Sequence, residues 1–207
     1  MPSERPRRRR GQRPAAPVEG AASRGRAARI LGDVLAGTPL PEAFGRHGGE
    51  PVDTAFVREL AWGAARLAPR LEYHVQAHLK RPLRARDLDV HGLLLIGAYQ
   101  LGWMNVPIHA CVHATVGATS MLGKDWARGL VNAVMRRLSE QDLQNDRDLP
   151  EAARLCHPDW LLAELRAAWP DEADAIVAAG NARPQMTLRC RDDSDVDLGD
   201  VTVTRSD

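Results

Sequence analysis

The chain has 207 residues, 44% hydrophobic and 27% charged, the profile of a soluble globular protein with room for one ordinary domain and an appendage. No window approaches the ~18 apolar residues of a membrane span, and no apolar h-region follows the charged start, so neither a transmembrane helix nor a secretory signal is expected. The net charge of +1 hides an asymmetry: residues 1–141 carry 21 Lys and Arg against 12 Asp and Glu, a net of +9, and residues 142–207 carry 7 against 15, a net of −8. Two units with different partners are implied, and the basic one suits phosphate.

Residues 1–22 crowd Arg5, Arg7, Arg8, Arg9, Arg10 and Arg13 among Pro and Gly. Nothing there offsets the entropy of folding, so a disordered arginine-rich tail is expected, able to engage RNA backbone or serving only as a solvated extension. From Ala22 the pattern turns helical, with Ala27, Ile30, Leu31 and Val34 on one face and Arg26, Arg29 and Asp33 on the other. Gly37 ends that helix, and Thr38-Pro39 opens a short one through Phe44. Asp53 caps a helix with the stripe Phe56, Leu60, Ala64 and Leu67, which Pro69 breaks. Leu71, Val75 and Leu79 carry a further helix to Pro82.

Asp87 to Met104 is apolar nearly all round, which predicts a central, buried helix. After Asn105-Val-Pro107 comes a helix with small residues at Ala110, Ala114, Gly117 or Ala118, suited to close packing. Gly123-Lys124-Asp125 is a turn. The next helix places Ala127, Leu130, Val131, Val134 and Leu138 inside, with Arg128, Asn132 and Arg136 four apart on another stripe. Gln141 to Leu149 is a polar linker. Pro158 then starts an amphipathic helix with Trp160, Leu161, Leu165 and Ala168, and Asp171 caps another to about Gly180. Met186, Leu188 and Cys190, then Val201 and Val203, alternate as strands do. The expected architecture is mainly α: an all-helical bundle over 23–141, a linker and helical connector over 142–181, and over 182–207 the first strands of an α/β or α+β subdomain that is cut short.

Cys111, Cys156 and Cys190 lie far apart with no CxxC, which argues for reduced thiols in a cytoplasmic protein. His109-Ala-Cys111-Val-His113 is metal-like in composition, but on a helix Cys111 leaves the face that the two histidines share, so no metal site is expected.

Several stretches in order resemble one family. These are Ala27-Ala-Arg-Ile-Leu-Gly-Asp-Val-Leu35, Asp53-Thr-Ala-Phe-Val-Arg-Glu-Leu-Ala-Trp-Gly-Ala-Ala-Arg66, Leu95-Ile-Gly-Ala-Tyr-Gln-Leu101 with Val106-Pro-Ile-His-Ala110, and Leu130-Val-Asn-Ala-Val-Met-Arg136. Together they look like the NusB fold, a helical domain shared by transcription antitermination factors and some ribosomal RNA methyltransferases. His157-Pro-Asp-Trp-Leu-Leu162 and Asn181-Ala-Arg-Pro-Gln-Met-Thr-Leu-Arg189 are similar to the connector of the RsmB (Sun, Fmu) family of 16S rRNA cytosine-5 methyltransferases. The resemblance implies an RNA-binding region that holds 16S rRNA for a core using S-adenosylmethionine. The alternative is a stand-alone NusB-like antitermination factor on nascent rRNA, paired with a ribosomal protein. A helical interaction domain with no nucleic-acid role is a third reading.

The family's chemistry needs a glycine-rich loop after a strand and cysteine nucleophiles. No such loop is found, and no cysteine sits in a matching motif; Cys190 reads as a structural thiol. No catalytic or cofactor residue is therefore carried over, and this chain alone is expected to be inactive. The residues expected to meet RNA are Arg5, Arg7, Arg8, Arg9, Arg10, Arg13, Arg24, Arg26 and Arg29. Arg128, Arg136 and Arg137 are expected on a solvated face. Asn132 is expected to bond a loop or helix end, His109 to pack at a helix start, Tyr99 and Gln100 to lie in the core, and Trp160 to anchor the connector to the bundle.

Overall fold

The computed structural model describes residues 18–48 and 52–182. The apolar run becomes α5 (Leu88–Trp103), the helix on which the others are laid. Leu93, Leu94, Leu95 and Ile96, four consecutive residues on all sides of the helix, are fully buried. Such burial is possible only if neighbours surround the helix, and α1 (Ala21–Leu35), α3 (Thr54–Arg66), α4 (Ala68–Gln76), α6 (Ile108–Met121) and α7 (Arg128–Leu138) all touch it. The short α2 (Leu40–Arg46) packs on α1. The most extensive helix pair is α1 with α5, and glycine makes it possible: a Cβ on Gly92 would stand 2.8 Å from the Ala28 carbonyl oxygen, and one on Gly32 would stand 2.9 Å from the Asp89 Cα. The small stripe of α6 also packs closely, with Ala114, Gly117 and Ala118 buried, although Ala110 at its start is exposed.

Local signals explain most boundaries. Asp53 caps α3 by accepting the Phe56 amide at 3.0 Å. Pro69 does not merely break a helix; it lies in the first turn of α4, where its missing N–H costs nothing. The helix expected to reach Pro82 ends at Gln76, and Leu79 packs against the core from outside it. Pro158 is the cap of α9 (Asp159–Ala168), not its first residue, and α10 (Ala173–Asn181) follows without a side-chain cap at Glu172.

The polar stretch after α7 is not a free linker. Leu143 is buried, and a further helix, α8 (Glu151–Leu155), contacts α4. Arg70 of α4 holds this region: its Nε donates to the Ala153 carbonyl at 3.3 Å, and its Nη2 donates to the Arg154 carbonyl at 3.1 Å and to the Asp146 carboxylate. Its guanidinium also sits 6.0 Å from the Trp103 ring centre. Trp160, expected as the anchor, is 67% exposed; the α9 face that turns inward carries Leu162 instead. The alternating residues Met186, Leu188, Cys190, Val201 and Val203 lie outside the described residues.

Candidate nucleic-acid interface

The amphipathic pattern of α7 buries Val131, Val134, Met135 and Leu138, which leaves Arg128, Asn132 and Arg136 on the opposite stripe, all exposed. In α6, Cys111, Thr115 and Ala118 turn into the core, so His109 and His113 turn out. The two helices enclose an open groove of about 960 Å³. Ile108, His109, His113, Val112 and Val116 form one wall, and Arg128, Gly129, Asn132, Arg136 and Ser139 the other. No carboxylate lines it. Among the described residues Arg128, Arg136 and Arg137 take part in no ion pair, and so are left to meet an external anion. A planar guanidinium fork fits phosphate well. The three arginines are solvated as the sequence suggested, but two of them share a groove with both histidines. Asn132 makes no hydrogen bond to a loop or helix end among the described residues, and faces the groove instead. His109 is exposed and not packed away.

A second basic surface escaped sequence reasoning. Lys80, Arg81, Arg84 and Arg86, four cations within seven residues between α4 and α5, are all exposed. Their signal, Lys-Arg-Pro-Leu-Arg-Ala-Arg, is present in the sequence, directly after a helical pattern that runs on through Leu79. The loop is fixed at its far end. Lys124, just after α6, donates to the Arg86 carbonyl at 2.6 Å, to Asp87 at 2.9 Å and to Asp89 at 2.6 Å. Burial disfavours charge on Lys124, yet the hydrogen bonds and charges of Asp89 and Asp87 outweigh it and hold the ammonium above its ordinary pKa.

The arginines named from the sequence fall into three groups. Arg5, Arg7, Arg8, Arg9, Arg10 and Arg13 lie outside the described residues. Arg24 and Arg26 are expected from the sequence to meet RNA, Arg26 from the polar face of α1, but they are 6% and 3% exposed. The rings of Phe56 and Phe44 cover them, with guanidinium-to-centroid distances of 5.2 and 5.3 Å, and Arg24 Nη1 also donates to the Gly20 carbonyl at 3.1 Å. Burial lowers the Arg24 pKa from its ordinary value. Arg29 is half-buried and donates to the Met121 carbonyl, which ties α1 to the end of α6. These groups face protein, and a phosphate would have to displace aromatic rings to reach Arg24 or Arg26.

Two polar residues that the sequence assigns to the core lie there. Tyr99 is 7% exposed and donates to Glu59 at 2.7 Å; Gln100 is fully buried and donates to the Ile96 carbonyl at 3.1 Å. Cys111 is buried, and burial pushes its thiol up to about 11, against the lowering effect of Arg24. Among the described residues no cluster of His, Cys, Asp and Glu could hold a metal ion, and no helix is long and apolar enough to cross a membrane.

Comparison with known proteins places this architecture. The model of the NusB family matches residues 22–140, and that of the RsmF/B-like methyltransferase ferredoxin-like domain matches residues 157–192. Among curated relatives, ribosomal RNA small subunit methyltransferase B of Pseudomonas putida is 39% identical over 171 residues, covering 82% of this chain and 39% of the relative. The protein of the same name from Pseudomonas syringae pv. tomato is 39% identical over 171 residues, covering 82% of this chain and 38% of the relative. The probable ribosomal RNA small subunit methyltransferase B of Coxiella burnetii is 39% identical over 137 residues, covering 65% and 32%. The chain thus spans about two-fifths of the length of the first of these relatives. With the family match extending over more than half of its residues and the helical bundle occupying the same stretch, the chain belongs to the NusB family.

Proposed function

We propose that this chain is the RNA-holding N-terminal part of an S-adenosylmethionine-dependent 16S rRNA (cytosine-C5) methyltransferase acting in the cytoplasm. One observation carries the reading: on a single chain the NusB-family match through residue 140 runs into an RsmF/B-like match from residue 157. The join between them is a connector clasped by Arg70, not a loose tether. A stand-alone antitermination factor has no use for that second segment, so the alternative is not favoured. The units proposed are an arginine-rich tail, whose bound of residue 22 overlaps the start of α1 at Ala21, the RNA-binding bundle through residue 141, the connector (142–181) and the beginning of a methyltransferase-associated subdomain (182–207).

In this reading the bundle holds rRNA while a core outside these 207 residues binds the methyl donor and carries out the transfer. The α6–α7 groove takes the sugar–phosphate backbone on Arg128 and Arg136, with Asn132 and the two histidines as further hydrogen-bonding partners. The tail arginines Arg5, Arg7, Arg8, Arg9, Arg10 and Arg13 add sequence-independent attraction, and Arg29 acts through the seating of α1 on α6. Arg24 and Arg26 contribute by fixing α1 against α2 and α3.

Fluorescence anisotropy of the 207-residue chain with labelled 16S rRNA fragments tests this. Binding is expected at about 50 mM salt and falls by orders of magnitude toward about 200 mM. Absence of binding to any 16S fragment at the lower salt overturns the proposal.

A further inference from the structure

The two basic surfaces are not separate. Lys124 ties the end of the α4–α5 loop to the turn that leads into α7, through the Arg86 carbonyl, Asp87 and Asp89. In the chain, Lys80, Arg81 and Arg84 lead into the pinned Arg86, and Arg128 and Arg136 follow the pinned Lys124, all five exposed. In the turn itself, two residues from Lys124 and two from Arg128, lies Trp126, which is 59% exposed. A large indole left mostly in water on a pinned turn loses the stabilisation that burial would give it. The nearby acids are engaged: Asp125 accepts from the Ser120 hydroxyl, while Asp87 and Asp89 are occupied by Lys124.

We propose that Trp126 is a stacking platform for one unpaired base of a single-stranded RNA whose backbone passes from the Lys80–Arg84 cations onto Arg128 and Arg136. The inference rests on the RNA-binding reading above and narrows its substrate to a single-stranded segment. Aromatic faces flanked by cations are the usual means of holding unpaired bases, since every base has a π-face and each phosphate needs a counter-charge. A duplex offers no such base, because its bases are already stacked on one another. The Lys124 knot holds the platform in place before binding, so little ordering remains for the RNA to impose. The other strongly exposed tryptophans, Trp160 and Trp169, lie in the acidic stretch 142–207 with its net charge of −8, where the neighbouring cation Arg166 is already paired with Glu151 and Asp174.

The test is binding of the full 207-residue chain to single-stranded and duplex RNA of matched sequence from 16S rRNA, with Trp126→Ala and Trp126→Phe variants. Melting curves should be unchanged, because the side chain is mostly in water. Trp126→Ala should weaken single-strand binding by about 5- to 150-fold with no change in salt slope, since stacking carries no charge. Trp126→Phe should restore most of the loss, and duplex binding should be indifferent to both. Equal single-strand affinity of Trp126→Ala and wild type overturns the platform while leaving RNA binding intact. An equal loss on duplex overturns it too, and points to a structural role. A chain that binds neither RNA sinks this inference together with the reading it rests on.

Discussion

Arg70→Ala removes the clasp between the bundle and the connector, and its effect can be worked out bond by bond. Two hydrogen bonds run from a charged group to the carbonyls of Ala153 and Arg154, at 3.3 and 3.1 Å, and the Arg70 side chain is only 10% exposed. A hydrogen bond to a charged donor contributes about 1.5–3 kcal/mol, less whatever water recovers once the side chain is gone. The ion pair with Asp146 adds little, because that carboxylate is 61% exposed and screened. A net loss of about 2–4 kcal/mol is expected, located between α4 and residues 142–156. Hydrogen exchange reads this directly: amides of α8 should exchange roughly 30- to 1,000-fold faster in the variant, while those of α5 change far less. Arg70→Lys keeps one charge but not the fork, and should recover only part of the protection. Unchanged α8 exchange, or the same acceleration in α5 as in α8, would refute the idea that Arg70 holds the connector specifically.

Three further outcomes follow from the packing. Gly92→Ala gains ~1 kcal/mol of helix propensity but places a methyl 2.8 Å from the Ala28 carbonyl, an overpacking cost of ~1–3 kcal/mol; urea denaturation should show net destabilisation, whereas Gly129→Ala, with nothing within 4 Å, should be neutral or stabilising by up to ~1 kcal/mol. Because the folded state raises the Lys124 pKa, the stabilisation from its knot is complete below the unfolded value of about 10.4 and is lost as pH rises through the higher folded value. Alkaline unfolding of Lys124→Met should lack that step and start from lower stability at neutral pH. Cys111, pushed up to about 11 and buried, should resist iodoacetamide at pH 8 in the native protein and react promptly in urea, as peptide mapping would show.

How much the sequence disclosed depended on whether one element or two set the outcome. The burial of α5 was legible because an apolar residue on every side has only one stable environment. The four-residue spacing of Arg128, Asn132 and Arg136 likewise announced an outer stripe. Its partner wall of His109 and His113 did not, because the groove exists only once α6 is laid beside α7. Arg26 was misplaced for the same reason: helical periodicity put it outside, and Phe44, eighteen positions later on α2, folds over it. Trp160 is expected as the anchor from the sequence, while the actual clasp uses Arg70, whose long stem and forked head reach across 83 residues of chain to α8. The loop cations from Lys80 to Arg86 were hidden by a helical pattern that continues through Leu79 although the helix itself stops at Gln76.

The groove between α6 and α7 is the centre of the functional reading, and its charge can be counted thermodynamically. Each phosphate contact on a single strand steepens the dependence of log K on log salt by about 0.7, so Arg128→Ala/Arg136→Ala should flatten that slope by about 1.4 and weaken binding to a single-stranded 16S rRNA fragment at low salt. Both side chains are exposed, so the fold should be unaffected. A double variant that binds with wild-type affinity and the wild-type slope would contradict the assignment of this groove to the RNA backbone.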